Sequence, residues 1–246
     1  MKIIAELHTH SNEFCDHASS SIDEEVEIAK KLGFKYFATT NHGPMSDYGT
    51  PVTFYLSNRE RRYDGITFLA GIEGDMRDLK GGMDLAEVDL LSLDFVIISL
   101  HNDVLETIYP DYTEGLMNVI ANPAVDCIGH IGRDQDFHLD LEKVISCVKE
   151  NDKLIEFNSW SLSGYGKYDS CSHVMGLCEE YGVKCIVTSD AHDADRIGSH
   201  QPVLRMLEEK NFPEELVINA DETRMADFLK RRRSEKDAAL RSLFNE

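Results

Sequence analysis

Directly after the apolar run Ile3-Ile4-Ala5 the chain reads Glu6-Leu7-His8-Thr9-His10, and His17 follows before any helical pattern begins. The same juxtaposition recurs downstream: a short apolar run ends in an imidazole or a carboxylate. His42 follows the second run, Glu73 the third, His101 the fourth, His130 the fifth, and Asp190 with His192 the seventh; the sixth departs from the pattern, ending in Asn158. Side chains two residues apart on a strand share a face about 6.5 to 7 Å apart, so His8 with His10, and Asp190 with His192, can each address one point. Imidazole and carboxylate are ligands that zinc, manganese and iron accept, and a carboxylate such as Glu73 can bridge two ions. A single histidine after a strand is ordinarily a satisfied polar residue, but seven of the ten histidines occupy these positions. His138, His173 and His200 fall outside the pattern.

Such residues meet only if the elements carrying them converge. The apolar runs read as strands over Ile3–Leu7, Tyr36–Thr40, Thr67–Ile72, Phe95–Leu100, Asp126–Gly129, Leu154–Phe157 and Lys184–Thr188. Helical spacing fills several of the intervals: Ser21 to Gly33, with a capping box at Ser21 and Glu24 and a glycine stop, then 113–121, 139–150, 170–181 and 201–209. Strands alternating with helices make an α/β fold with a parallel sheet, either a doubly wound open sheet or a TIM-like barrel. In a barrel every strand C-terminus opens on one rim, which gathers nine candidate ligands, His17 included. Residues 74–93 read as an inserted hairpin. No repeat, low-complexity tract or linker divides the chain, so residues 1–246 read as a single domain.

The net charge of −20 opposes binding to long nucleic acids, which requires a basic field. The six cysteines are scattered without a CxxC pair and read as reduced core thiols of a cytoplasmic protein. No apolar stretch has membrane-spanning length. The basic run Lys230–Arg233 reads as a solvated helix face.

The motifs "LHTHS" at 7–11, "TTNHG" at 39–43, "GIEGD" at 71–75, "SLHND" at 99–103, "GHIGR" at 129–133 and "TSDAH" at 188–192 together resemble the polymerase and histidinol phosphatase (PHP) domain family of metallophosphoesterases. The resemblance spans Glu6 to Gly198 and is strongest to small stand-alone phosphatases with a distorted seven-stranded (β/α) barrel and three metal ions. It implies His8, His10, Glu73 and Asp190 around one ion, Glu73 bridging to a second held by His101 and His130, and His17, His42 and His192 around a third. Three departures stand out: the loop between His10 and His17 is one residue longer than is usual, Asn41 replaces a common Asp before the motif histidine, and "GHIGR" lacks the common His-Pro.

The resemblance implies three divalent ions, zinc foremost and manganese or iron as alternatives, which with Glu73 and Asp190 leave the basin at about +4. The implied chemistry is attack of a metal-bound hydroxide on a small-molecule phosphate monoester, releasing phosphate, with Glu73 and Asp190 at the reacting centre. Arg133 and Arg196 closely follow ligand positions, and each suits either a bidentate phosphate contact or a rim salt bridge. Phosphodiester or exonuclease cleavage of short nucleic acids and metal-dependent amide hydrolysis use similar centres. The sequence does not give the oligomeric state.

Overall fold

The computed structural model describes residues 1–15, 17–105, 107–133 and 137–244. Seven strands, β1 (Ala5–Glu6), β2 (Tyr36–Thr39), β3 (Thr67–Asp75), β4 (Phe95–Ser99), β5 (Cys127–Ile128), β6 (Leu154–Asn158) and β7 (Cys185–Thr188), pair in parallel in sequence order. The first and last strands meet just beyond their ends, through a Thr9–Ala191 bridge and the bonds His10 N to Ala191 O (2.8 Å) and Asp190 N to His8 O (3.1 Å). The sheet is thus a nearly closed α/β barrel of the TIM type, and the open-sheet alternative does not hold.

Helices α1 (Ile22–Leu32), α2 (Val52–Asn58), α3 (Glu87–Ser92), α4 (Thr113–Ile120), α5 (Leu141–Glu150), α6 (Ser159–Ser163), α7 (Tyr168–Tyr181), α8 (Gln201–Glu209) and α9 (Glu222–Leu243) complete the described architecture. The chemistry of α1 shows why such segments form where they do. Ser21 and Glu24 make the reciprocal capping box, Gly33 ends the helix in the left-handed region at φ 80°, and Ile22, Val26 and Ala29 are buried.

Alternation along the strands builds the interior in layers. Ala38, Leu69, Phe95, Ile97, Cys127, Leu154 and Ile186 form an apolar cluster inside the barrel with Ala5 and Leu7. Two or four residues further along the same inward parity come Thr40 and His42, Gly71 and Glu73, Ser99 and His101, Glu156 and Asn158, Thr188 and Asp190. On β2, β3, β4 and β7 the inner face therefore changes from hydrocarbon to candidate ligand near the strand end; His8, His10 and His130 have the opposite parity to Leu7 and Cys127 and reach the mouth from beyond β1 and β5, His130 with a positive φ of 20°. A larger apolar cluster packs the outer face of the sheet against the helices.

Two expectations are corrected. Residues 74–93 are not a simple hairpin: β3 runs on to Asp75, Met76 and Met83 make one antiparallel bridge, and α3 follows. The basic run is only in part a solvated face: Lys230 is exposed, Arg231 and Arg233 are half-buried, and Arg232 is buried. Helix α9 lies across the N-terminal end of the barrel, burying Met225 and Phe228 in the inner cluster, and both Arg232 and Lys236 are buried against Asp126. Long basic side chains reach a carboxylate that strand spacing alone does not place beneath them.

Candidate metal centre

Glu73 stands at the middle of the barrel mouth. Its Oε1 lies 2.7 Å from His130 Nε2 and accepts a hydrogen bond from Ser99 Oγ at 2.7 Å. Its Oε2 lies 3.0 Å from His42 Nδ1, 3.3 Å from His8 Nε2 and 3.4 Å from His10 Nε2. His101 Nε2 is 3.9 Å from Oε1. Asp190 faces the same basin, with Oδ1 3.1 Å from His10 Nε2 and 3.5 Å from His8 Nε2. Asp190 adopts a left-handed backbone, φ 55°, which its hydrogen bond to His8 O holds in place.

Three groups of side chains present ligand atoms within 4.8 Å of one another: His8, His10 and Asp190; His42, Glu73 and His101; and His10, His42 and His192. His10 and His42 are each shared between two groups, a grouping that differs from the three sets implied by family resemblance. His17 is exposed, its ring stacked on Tyr48 at 4.3 Å and lying 4.8 Å from that of His192. All nine sequence-identified ligand candidates thus gather at one mouth, with His17 at its edge.

The donor set suits divalent ions on two counts. Tetrahedral zinc with bonds of about 2.05 Å sets neighbouring ligand atoms roughly 3.3 Å apart, the spacing found around Glu73 Oε2 and Asp190 Oδ1. Among the described residues, Glu73 Oε2, His10 Nδ1, His42 Nδ1 and His192 Nε2 are buried without a hydrogen-bond partner, and such atoms call for a ligand. His8 Nε2 and His10 Nε2, 3.1 Å apart, point at each other as two imidazoles sharing one cation would.

The next layer of side chains sets the tautomers. Glu156 Oε1 accepts from His8 Nδ1 at 2.6 Å and from Thr188 Oγ1 at 2.5 Å, leaving His8 Nε2 free to face the basin. Its other oxygen accepts from the His130 backbone N–H at 2.8 Å. Asp75 takes His101 Nδ1 at 3.0 Å. Burial disfavours every charge here, but the imidazoles, His8 foremost, outweigh it and hold the Glu73 and Asp190 carboxyls well below their ordinary range. Burial likewise opposes protonation of His101, yet Asp75 and Glu73 raise it to about 10. His10 is pushed well below the usual imidazole value by burial and by His192 and His42.

Glu156, Asp75, Ser99 and Thr188 are the site residues that a search confined to strand ends misses. Their inward parity with Asn158, Glu73, His101 and Asp190 is the signal that finds them. Asn158 caps α6 through Ser161 N and donates to Asp190 Oδ2 at 3.0 Å. Asn41 does not touch the His42 ring: it ties down the loop after β1, accepting from Ser11 N and donating to the carbonyls of Ser11 and Glu13. His200 is structural, bonded to buried Glu6 at 2.8 Å.

The two arginines separate. Arg133 enters the basin, Nη1 3.2 Å from Asp190 Oδ2 and Nη2 2.6 Å from His130 Nε2, with its guanidinium over the Tyr165 ring. Arg196 lies behind the wall, stacked on Trp160 at 4.0 Å and paired with Asp193 at 3.6 Å. A cleft of about 350 Å³ opens over the centre, lined by His17, His42, Glu73, His101, Asp190 and His192 together with Ser46, Asp47, Tyr48, Asn102, Asp103, Arg133, Trp160 and Tyr165.

The family model that describes the PHP domain matches residues 6–160, more than half of the chain. The chain belongs to the PHP domain family. Similar curated proteins include probable phosphatases of Clostridium acetobutylicum, 35% identical over 94% of this chain and 96% of that protein, and of Clostridium botulinum (strain Langeland), 37% identical over 98% and 100%. Among solved structures, the histidinol phosphate phosphatase of Lactococcus lactis, complexed with zinc, L-histidinol and phosphate, superposes with a TM-score of 0.62 at 17% identity, over 85% of this chain and 94% of that one. That likeness shows the shared fold. The relatives support assignment of this PHP chain as a phosphatase and so as a hydrolase, and its clustered imidazoles and carboxylates make metal binding by the PHP centre plausible.

Glu156 offers a test of the ligand-orienting layer. Glu156→Gln preserves shape but removes the charge that fixes His8, and metal affinity is expected to fall about 10- to 100-fold. Zinc titration of the chelator-stripped protein, with circular dichroism to verify the fold, measures it.

Proposed function

We propose that this PHP chain is, over residues 1–246, one metallophosphatase domain that hydrolyses small-molecule phosphate monoesters. The observation that carries the reading is Glu73: one buried carboxylate within 3.9 Å of five imidazoles, beside Asp190 and Arg133. His8, His10, Glu73 and Asp190, with His101, His130, His42, His192 and His17, would hold up to three divalent ions, zinc foremost, with manganese or iron as alternatives. Such ions would supply an activated water and a concentrated positive field for a phosphoryl group.

The chain's own residues do the rest. Asp190 and Glu73 remain ionised at neutral pH and keep their lone pairs available. Glu156 and Asp75 hold His8 and His101 by Nδ1, so that Nε2 faces inward. His130 Nε2 and Asp190 would help to hold such ions, and the Arg133 guanidinium, which lies against both, suits the non-bridging oxygens of the ester. Arg196, stacked on Trp160, serves the wall of the cleft and not the phosphate. Six free cysteines suit a reducing cytoplasm, and among the described residues no helix is long and apolar enough to cross a membrane.

Elemental analysis of purified protein, coupled to turnover of a phosphomonoester, a phosphodiester, single-stranded DNA and an amide, tests the reading. Monoester hydrolysis that tracks metal content is expected; preferential turnover of the diester, the DNA or the amide refutes it. His101→Ala should lower monoester turnover at least about a hundredfold, whereas His138→Ala, on an exposed side chain 3.8 Å from Asp111, leaves it unchanged.

A further inference from the structure

The half of the cleft that faces solvent differs in charge from its floor. Asp103, two residues after His101, places Oδ2 where it accepts from Ser46 Oγ at 2.9 Å and from the Asp47 backbone N–H at 2.8 Å. These two bonds join the loop after β4 to the loop after β2 and fix the carboxylate at the mouth. Asp47 lines the same cleft, as do the aromatic rings of Tyr48, Trp160 and Tyr165. Among the described residues, the cleft lining includes no lysine and a single arginine, Arg133, which points inward to Asp190.

A phosphate monoester has two ends, and the cleft treats them oppositely. Its phosphoryl end would go to the floor, where Arg133 lies and where ions held by the ligand side chains would gather positive charge; its alcohol end would then lie along a mouth that carries Asp47, Asp103 and three aromatic rings. A second anionic group on the alcohol would face like charge there, and repulsion of this kind discriminates as effectively as a favourable contact.

From this we propose that Asp103 is a specificity-determining residue, selecting phosphate esters whose alcohol portion bears hydrogen-bond donors and no negative charge, and rejecting bisphosphates and carboxylated esters. The inference rests on the phosphatase reading above and narrows its substrate class. Ser46 and Asp47 both bond to Asp103 Oδ2, so neither occupies Oδ1, and a hydroxyl or ammonium on the alcohol would pair with this carboxylate.

The test uses metal-loaded full-length protein with glycerol 1-phosphate and 3-phosphoglycerate, esters of similar size that differ in the charge of the alcohol portion. Wild type is expected to favour the first by about tenfold in kcat/KM, mostly through KM, as one like charge near a screened surface would give. Asp103→Asn keeps an oxygen to accept from Ser46 and Asp47 but loses the charge, so the preference should shrink about threefold or more; Asp103→Lys should invert it. Calorimetric binding of the matching non-hydrolysable phosphonates supplies a readout independent of turnover. An unchanged ratio in Asp103→Asn, or a wild-type preference for the anionic ester, overturns the inference while leaving the phosphatase reading intact. A protein that turns over neither ester yet binds the glycerol phosphonate more tightly than its carboxylated counterpart upholds the charge selection, while the phosphatase reading stands or falls on the substrate comparison above.

Discussion

Glu73→Gln is expected to lower monoester turnover by about three to four orders of magnitude, because the loss removes several kcal/mol of transition-state stabilisation and each 1.36 kcal/mol is a factor of ten. Glutamine matches the carboxylate in shape, so the barrel mouth keeps its packing. What goes is the single negative charge that His8, His10, His42, His101 and His130 surround. An amide nitrogen would turn positive hydrogens towards any ion that the carboxylate would help to hold, so metal content should fall along with turnover. Stability gives a second measure. A ligand that binds only the folded state raises the melting temperature, so zinc should stabilise stripped wild type more than stripped Glu73→Gln. A variant that retains a tenth of wild-type activity at full metal content would remove Glu73 from the centre of the chemistry.

The sequence discloses the metal centre better than it discloses the scaffold that holds it, and the reasons are physical. Ligands must lie at strand ends to reach a common rim, so an apolar run followed by histidine is a local signal, and His42, His101, His130 and Asp190 could be read one strand at a time. Glu156 hides because it lies inside an apolar strand, between Ile155 and Phe157; only its inward parity with Asn158 exposes it. The regrouping of His10 and His42 depends on ring orientation, which spacing along a strand does not carry. Closure of the barrel was a choice between two topologies until Thr9 met Ala191. The setting of Lys230–Arg233 is hidden for a different reason: a row of basic residues looks solvated unless the carboxylate it serves is known, and Asp126 lies more than a hundred residues away in sequence.

That carboxylate underlies the largest expected effect on stability. Asp126 is fully buried at the N-terminal end of β5, where Oδ1 accepts from Arg232 Nε at 2.7 Å and Oδ2 from Val96 N at 2.8 Å and from Lys236 Nζ. Burial alone would raise its pKa, but Lys236 and Arg232 outweigh that and hold it below the ordinary carboxylate range. Asp126→Ala leaves buried Lys236 without a carboxylate and Arg232 with Glu235 alone, and breaking a buried pair in this way costs about 3 to 5 kcal/mol. Urea unfolding should show that loss as a lower midpoint at unchanged slope. Because the folded-state pKa is depressed, the contribution of Asp126 is fully present above its unfolded value, about 3.9, and fades as pH falls through the folded value; Asp126→Asn should remove this part of the acid limb. Exchanging the whole cluster at once, with Asp126→Leu, Arg232→Met and Lys236→Leu, should recover most of the stability, since apolar residues of similar volume can replace a buried ion pair. If Asp126→Ala unfolds at the wild-type urea midpoint, the clasp between α9 and β5 contributes nothing to holding the barrel shut.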